Sequence, residues 1–239
     1  MSAIAIWGVT DAGRQRGLNE DAVVWDEAAR FAVLADGMGG HNAGEVASAM
    51  VIETVASTLR EAGGGDMKRL LRRAVVEANR QVYAAAQADP QLQGMGSTVV
   101  VARFTPRRLV VAHVGDSRLY RWRDGQLQQL TADHSLVQEM VQGGLLTPEQ
   151  ARVSPHRNVI TRAIGTEPAV AVEVASFDSR RDDRVLLCSD GLTDMVEEVR
   201  IGEMLRRVES PEAASRELVA LANAEGGSDN ISVIVANVR

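Results

Sequence analysis

Ser97-Thr98-Val99-Val100-Val101-Ala102-Arg103-Phe104, a Thr105-Pro106 turn, Leu109 to Val114, Arg118-Leu119-Tyr120-Arg121-Trp122-Arg123 and, across Asp124-Gly125, Gln126-Leu127-Gln128-Gln129-Leu130 form the stretch whose period decides the fold. β-Branched, aliphatic and aromatic residues dominate these runs, and turn residues bound them, so they read as hairpin-linked antiparallel strands. Asp124-Gly125, flanked by strand-like residues at hairpin distance, reads as a type I′ turn and carries no chemistry.

The period differs on either side. Upstream, Ala47, Met50, Val51, Thr54, Val55, Thr58 and Leu59 recur at helical spacing until Gly63-Gly64-Gly65. A second amphipathic helix starts after Asp66, an N-cap residue, carries Leu70, Leu71, Ala74, Val75, Ala78 and Val82, and stops at Asp89-Pro90. Downstream, residues from Ser135 to about Asn158 are polar and broken by Gly143-Gly144 and Ser154-Pro155, with a helix start at Thr147-Pro148-Glu149, which predicts a flap of short helices. Strands are expected again at Val170 to Phe177 and Val185 to Cys188, then two helices, the last from Ser210-Pro211 to Gly226-Gly227, and a terminal strand from Ile231 to Val238. Antiparallel strands with helices in separate pairs predict an α+β fold, a two-sheet sandwich flanked by helices in α-β-β-α layers.

With 239 residues, 45% of them hydrophobic, the chain is expected to fold as one domain over 1–239 with its flap near 135–158. The net charge of −6 and the lack of a basic block argue against a nucleic-acid or anionic-membrane surface. One cysteine, Cys188, permits no intrachain disulfide and suits a reducing compartment. No apolar run approaches the ~20 residues needed to span a bilayer, so the expected setting is cytoplasmic.

Five aspartates carry the chemistry. Asp36 follows Phe31-Ala-Val-Leu-Ala35, Asp116 follows Leu109 to Gly115, Asp190 follows Val185 to Ser189, Asp21 closes Asn19-Glu20-Asp21, and Asp229 precedes Asn230-Ile231. Aspartates at the ends of buried strands meet at one rim of a sheet, where they must bind protons or share hard divalent cations. An all-oxygen set favours Mg²⁺, Mn²⁺ or Ca²⁺ over zinc or copper.

Six segments in this order, Asp11 to Ala22, Ala35-Asp-Gly-Met-Gly-Gly-His41-Asn-Ala-Gly-Glu45, Gly96-Ser-Thr98, Val114-Gly-Asp-Ser-Arg118, Ser189-Asp-Gly-Leu192 and Ser228-Asp-Asn-Ile231, resemble the PP2C (PPM-type) metal-dependent Ser/Thr protein phosphatases in their compact bacterial form. The resemblance spans essentially the whole chain. It implies two Mn²⁺ or Mg²⁺ ions sharing Asp36, with the Gly37 carbonyl, Asp190 and Asp229 completing the set, and Asp21 contacting a metal or orienting its waters. Asp116 matches the aspartate that, with the Asp190 equivalent, holds a weaker third ion. Arg16 is implied as the grip on the substrate phosphate, Arg14 being the neighbouring alternative, and His41 as the acid that protonates the leaving oxygen. Ser97-Thr98 is expected to support the site through hydrogen bonds. The implied substrates are phosphoserine and phosphothreonine proteins, with a cognate Ser/Thr kinase as a partner and a monomer as the default state.

Other chemistries lack their residues. Cys188 has Asp194 six positions on, where a cysteine phosphatase needs arginine, and there is no Gly-x-Ser-x-Gly or His-Glu-x-x-His element. His113, His134 and His156 have no ligand context; His113 is expected to pack inside a strand. Two further readings remain compatible: another two-metal phosphoester hydrolase, and a catalytically silent regulatory module of the same fold.

Overall fold

A computed structural model describes residues 4–40 and 43–239. In chain order the elements among them are β1 (Ile4–Asp11), β2 (Asp21–Asp26), β3 (Phe31–Met38), α1 (Ala43–Arg60), α2 (Met67–Ala88), β4 (Gly96–Ser97), β5 (Val99–Phe104), β6 (Arg108–Val114), β7 (Arg118–Arg123) and β8 (Gln126–Gln129). They continue with α3 (Leu136–Gln142), α4 (Pro148–Arg152), β9 (Glu173–Asp178), β10 (Arg184–Cys188), α5 (Asp190–Thr193), α6 (Glu198–Arg207), α7 (Pro211–Ala224) and β11 (Ile231–Val238).

All ladders are antiparallel. One sheet runs β1-β11-β10-β7-β8 and the other β2-β3-β5-β6-β9, with β4 paired to β3. Alternate residues of the two sheets meet in a middle layer, where Leu34, Val100, Leu119, Leu187 and Ile234 are fully buried. The opposite sheet faces are covered by helices. Val51, Val55, Leu71 and Ala78 of α1 and α2 cover Val33 and Val101, whereas Ile201, Leu205 and Leu218 of α6 and α7 cover Leu186 and Val235. Each sheet is thus buried on both faces, which explains why β3, β10 and β11 read as continuous apolar runs.

Local signals act where expected. The Asp66 side chain accepts from the backbone N–H of Lys68 and Arg69 at the start of α2, and Thr147 with Gln150 forms a reciprocal cap on α4. Asp124 and Gly125 both have positive φ, 50° and 81°, as a type I′ turn requires. Three expectations need correction. The strands from Ser97 to Leu130 do not form one hairpin-linked series, because β6 pairs with β5 and β9 whereas β7 pairs with β8 and β10 in the other sheet, and the chain crosses between sheets at Gly115. The strand placed at Val170 to Phe177 begins at Glu173, because its partner β6 ends at Val114 and the chain turns at Gly115; Val170 and Val172 pack on the helix-covered core outside any ladder. The run from Ser97 to Phe104 divides at Thr98, whose N–H donates to the Asp36 carbonyl.

Candidate metal centre

The sandwich brings the aspartates together at one end. Asp21 opens β2 and stands opposite Asp36 on β3 in the ladder register. Asp116 lies in the turn from β6 to β7, Asp190 begins α5 directly after β10, and Asp229 lies just before β11.

Close backbone approaches make this convergence possible. At Gly37, a Cβ would sit 2.1 Å from the Gly44 carbonyl oxygen and 2.5 Å from that of Glu20, so the start of α1 crosses β3 where no side chain fits. At Gly191, a Cβ would lie 2.0 Å from the Asn230 carbonyl, and this contact draws the Asp190 turn against the Asp229 loop. The Asn230 side chain ties that loop to the N-terminal segment, donating to the Ala12 and Leu18 carbonyls and accepting from the Glu20 N–H.

Hydroxyls hold the carboxylates from behind. Ser189 Oγ donates to Asp21 Oδ2 at 2.8 Å and itself accepts from the Ser232 N–H. Thr98 Oγ1 accepts from the Asp36 N–H at 3.0 Å and pairs with Ser117 Oγ at 2.7 Å, so one buried hydroxyl pair links the Asp36 strand to the Asp116 turn. The support expected of Ser97-Thr98 takes this form.

The charges remain undercompensated. Burial, followed by repulsion from Asp21, Asp190, Asp116 and Asp229, holds the Asp36 carboxyl well above the usual carboxylate range. Asp190 is raised in the same way by burial and then by Asp116, Asp194, Asp229 and Asp21. Burial is also the largest cause of the rise of Asp21 and Asp116 to about 6. Arg16 Nη2 reaches Asp229 Oδ2 at 2.7 Å, whereas the Arg118 guanidinium near Asp116 is committed to a bidentate pair with Asp133. Arg14 lies with its stem against Gly227 and donates its N–H to the Gly227 carbonyl. Asp21 Oδ1 is buried without a hydrogen-bond partner. An orphaned carboxylate oxygen within an excess of buried negative charge, ringed by oxygen donors only, fits hard divalent cations.

The Protein phosphatase 2C family profile matches residues 12–225. The chain belongs to the protein phosphatase 2C family. It is 44% identical over 229 residues to the serine/threonine protein phosphatase PstP of Mycobacterium tuberculosis, a match covering 96% of this chain and 44% of PstP. The chain therefore spans under half the length of that relative. It is also 37% identical over 233 residues to the serine/threonine phosphatase stp of Listeria monocytogenes, covering 95% of this chain and 92% of the relative. The crystal structure of M. tuberculosis PstP/Ppp superposes with a TM-score of 0.94 at 40% identity over 99% of both chains. The PstP catalytic domain in complex with two manganese ions gives 0.92 at 39% identity, over 100% of this chain and 99% of that one.

His41, implied by the resemblance as the acid for the leaving oxygen, lies outside the described residues. A cavity of about 490 Å³ opens beside Asp116 and Asp190, walled by Val137, Gln138 and Arg157 of the flap and by Asp194. Arg157 Nε lies 3.9 Å from Asp194 Oδ2 across it. Cys188 is fully buried, and burial pushes its thiol up to about 12, which leaves it inert. His113, His134 and Glu173 bring one ligand-type atom each within 4.8 Å. Their hydrogen bonds and packing argue for a structural post: His113 Nε2 meets the Ala132 carbonyl, His134 Nδ1 accepts from the Gly115 N–H, and the imidazoles are stacked, 4.6 Å between centroids at 12°, so their lone pairs lie in separate near-parallel planes. The supporting groups Ser189, Asn230, Ser117 and His134 were not singled out from the sequence. Ser189, Ser117 and Asn230 lie inside family segments beside an aspartate, as Ser97-Thr98 does, but only Ser97-Thr98 was assigned a supporting role there.

Proposed function

We propose that this chain is a metal-dependent phosphoprotein phosphatase that hydrolyses phosphoserine and phosphothreonine side chains. The observation carrying the reading is the convergence of five aspartates from five distant segments into one undercompensated acidic centre, with Arg16 at its edge. Similarity to named Ser/Thr phosphatases across nearly the whole chain supports it, and the manganese bound by the PstP catalytic domain supports Mn²⁺ or Mg²⁺ as the ions.

In this reading Asp36 is shared by two ions, the Gly37 carbonyl, Asp190 and Asp229 complete the protein's ligands, and Asp21 contacts an ion or orients its waters. Asp116 with Asp190 holds a weaker third. Paired divalent cations neutralise phosphoryl oxygens and make water nucleophilic near neutral pH. Arg16 gives two parallel hydrogen bonds to the substrate phosphate, for which it exchanges its pairing with Asp229. His41 protonates the serine or threonine oxygen as it leaves. The cavity under the flap receives the peptide around the phosphorylated residue, and the flap selects among substrates. Residues 1–239 act as one such domain, monomeric and cytoplasmic, opposing a Ser/Thr kinase. Among the described residues, no helix is long and apolar enough to cross a membrane.

The test is hydrolysis of phosphoserine and phosphothreonine peptides beside DNA and nucleotides, each with Mn²⁺ and with chelator. Cation-dependent release of phosphate from the peptides is expected. Preference for DNA or nucleotides would assign another phosphoester hydrolase, and no release from any substrate a silent module. Arg16→Ala is expected to raise KM for phosphopeptides about tenfold or more with a smaller change in kcat. An unchanged KM in steady-state assays would move the phosphate grip to another residue.

A further inference from the structure

The His113, His134 and Glu173 cluster lies outside the aspartate centre, yet one of its members touches the turn that carries Asp116. His134 holds Gly115 by two hydrogen bonds: its backbone N–H donates to the Gly115 carbonyl at 3.0 Å, and its Nδ1 accepts from the Gly115 N–H at 3.1 Å. Gly115 has φ +102°, and a Cβ there would lie 2.6 Å from the Thr98 methyl, so this turn admits only glycine and relies on its neighbours for its shape.

The same residue closes the base of the flap. The Thr161 N–H donates to the His134 carbonyl at 2.8 Å, Ser135 bridges to Ile160, and the Leu136 N–H donates to the Val159 carbonyl at 2.8 Å. The segment from Ser135 to Ile160 is therefore a loop whose two ends join at His134. The ring is held by one stacking partner and by hydrogen bonds at both nitrogens. It stacks on His113, whose Nε2 is 2.9 Å from the Ala132 carbonyl oxygen, and its own Nε2 lies between Glu173 Oε2 at 3.3 Å and Arg162 Nη1 at 3.1 Å. Because Nδ1 accepts from a backbone N–H, Nε2 carries the ring proton and points it at Glu173, while Arg162 Nη1, itself a donor, donates to the Ala171 carbonyl and not to Nε2.

We infer that His134 is a positioning residue that fixes the Asp116 carboxylate from the flap side, and thereby sets how tightly the third cation is held. The turn from Gly115 to Ser117 has two clamps. The Thr98–Ser117 hydroxyl pair is shared with Asp36 and belongs to the whole centre. The His134 clamp serves only this turn and the flap base. Releasing it frees Asp116 while Asp36, Asp190 and Asp229 keep their own supports. A third ion held by few protein oxygens depends on the placement of each. The inference rests on the proposed role of Asp116.

The test is calorimetric Mn²⁺ titration of the wild-type chain, His134→Phe and His134→Asn, with hydrogen exchange of the Gly115 amide read alongside. Phe keeps the ring stack but has no acceptor, whereas Asn places an amide oxygen near the position of Nδ1. The expected result is two tight ions in all three proteins, a weak third ion whose dissociation constant rises about tenfold or more in His134→Phe, and restoration to within about threefold in His134→Asn. The Gly115 amide should exchange faster only in the Phe variant. Unchanged weak binding in His134→Phe overturns the inference, as does equal loss of tight and weak binding in either variant. If His134→Phe fails to fold, a folded His134→Asn without the weak ion overturns it too. A wild-type chain that binds two ions and no third removes the role of Asp116 and the inference with it, and one that binds none removes the proposed function.

Discussion

Replacing Asp36 by Asn is expected to reduce turnover of phosphothreonine peptides by about a thousandfold or more, because the side chain proposed as the shared ligand of both core ions loses its charge and one of its oxygens. The same change should raise the melting temperature of the metal-free protein at pH 7.5. In the wild type Asp36 is buried, and Asp21, Asp190, Asp116 and Asp229 all oppose its ionised form. A neutral amide in that place removes the repulsion. A gain of a few degrees is the scale expected for about 1 kcal/mol in a chain of this size. The two readouts move in opposite directions, which separates loss of a ligand from loss of the fold. Paired steady-state kinetics and thermal unfolding in chelator check both, and an inactive variant that is also destabilised would point to structural damage instead.

The second large effect is the pH dependence of the metal-free protein. Asp21 and Asp116 titrate near 6 in the folded chain against an ordinary value of 3.8, and Asp36 and Asp190 are displaced in the same direction by burial and by one another. A carboxyl whose folded pKa is raised holds its proton longer in the native state, so its contribution is fully present below about 4 and is lost as pH rises through the folded value. Stability in chelator should therefore fall from about pH 4 up through about 6 as Asp21 and Asp116 lose their protons, and go on falling above that through Asp36 and Asp190, by several kcal/mol in all and on the order of ten degrees in melting temperature. Asp26, lowered by the Ala29 N–H and then by Arg60, and Asp178, lowered by Arg123, act oppositely, but both are close to solvent and well screened. Mn²⁺ should reverse the fall at pH 7.5 and have little effect at pH 5, where protons compete for the same oxygens. Thermal unfolding across that range, with chelator and with Mn²⁺, reads it directly. A flat or rising profile in chelator would mean that the carboxylates do not share one buried field.

These effects depend on an arrangement that was partly legible in the sequence. The hairpins β5–β6 and β7–β8, the caps at Asp66 and Thr147 and the Asp124-Gly125 turn are encoded within a few residues, and local physics suffices to read them, whereas the passage from β6 to β7 between the two sheets is not. The convergence of Asp21, Asp36, Asp116, Asp190 and Asp229 was legible because each ends or begins a strand-like run. The supports were not. Ser189 meets Asp21 across 168 residues, and Asn230 binds the Leu18 carbonyl across 212, separations at which no local pattern survives. The edge of β9 depends on where β6 turns, and α5 is a single turn of four residues whose place is set by Gly191 packing on Asn230. Glycine at 37 and 191 is equally silent in isolation. Its meaning appears only once the carbonyls of Gly44 and Asn230 occupy the space a side chain would take.

The central claim is that one acidic cage, built by distant segments, holds paired divalent ions. Anomalous diffraction from Mn²⁺-soaked crystals at the manganese edge tests it most directly. Two strong peaks between Asp36, Asp190 and Asp229, with a weaker one at Asp116, are predicted. Peaks confined to the His113, His134 and Glu173 cluster, or none among the aspartates at saturating Mn²⁺, would contradict it.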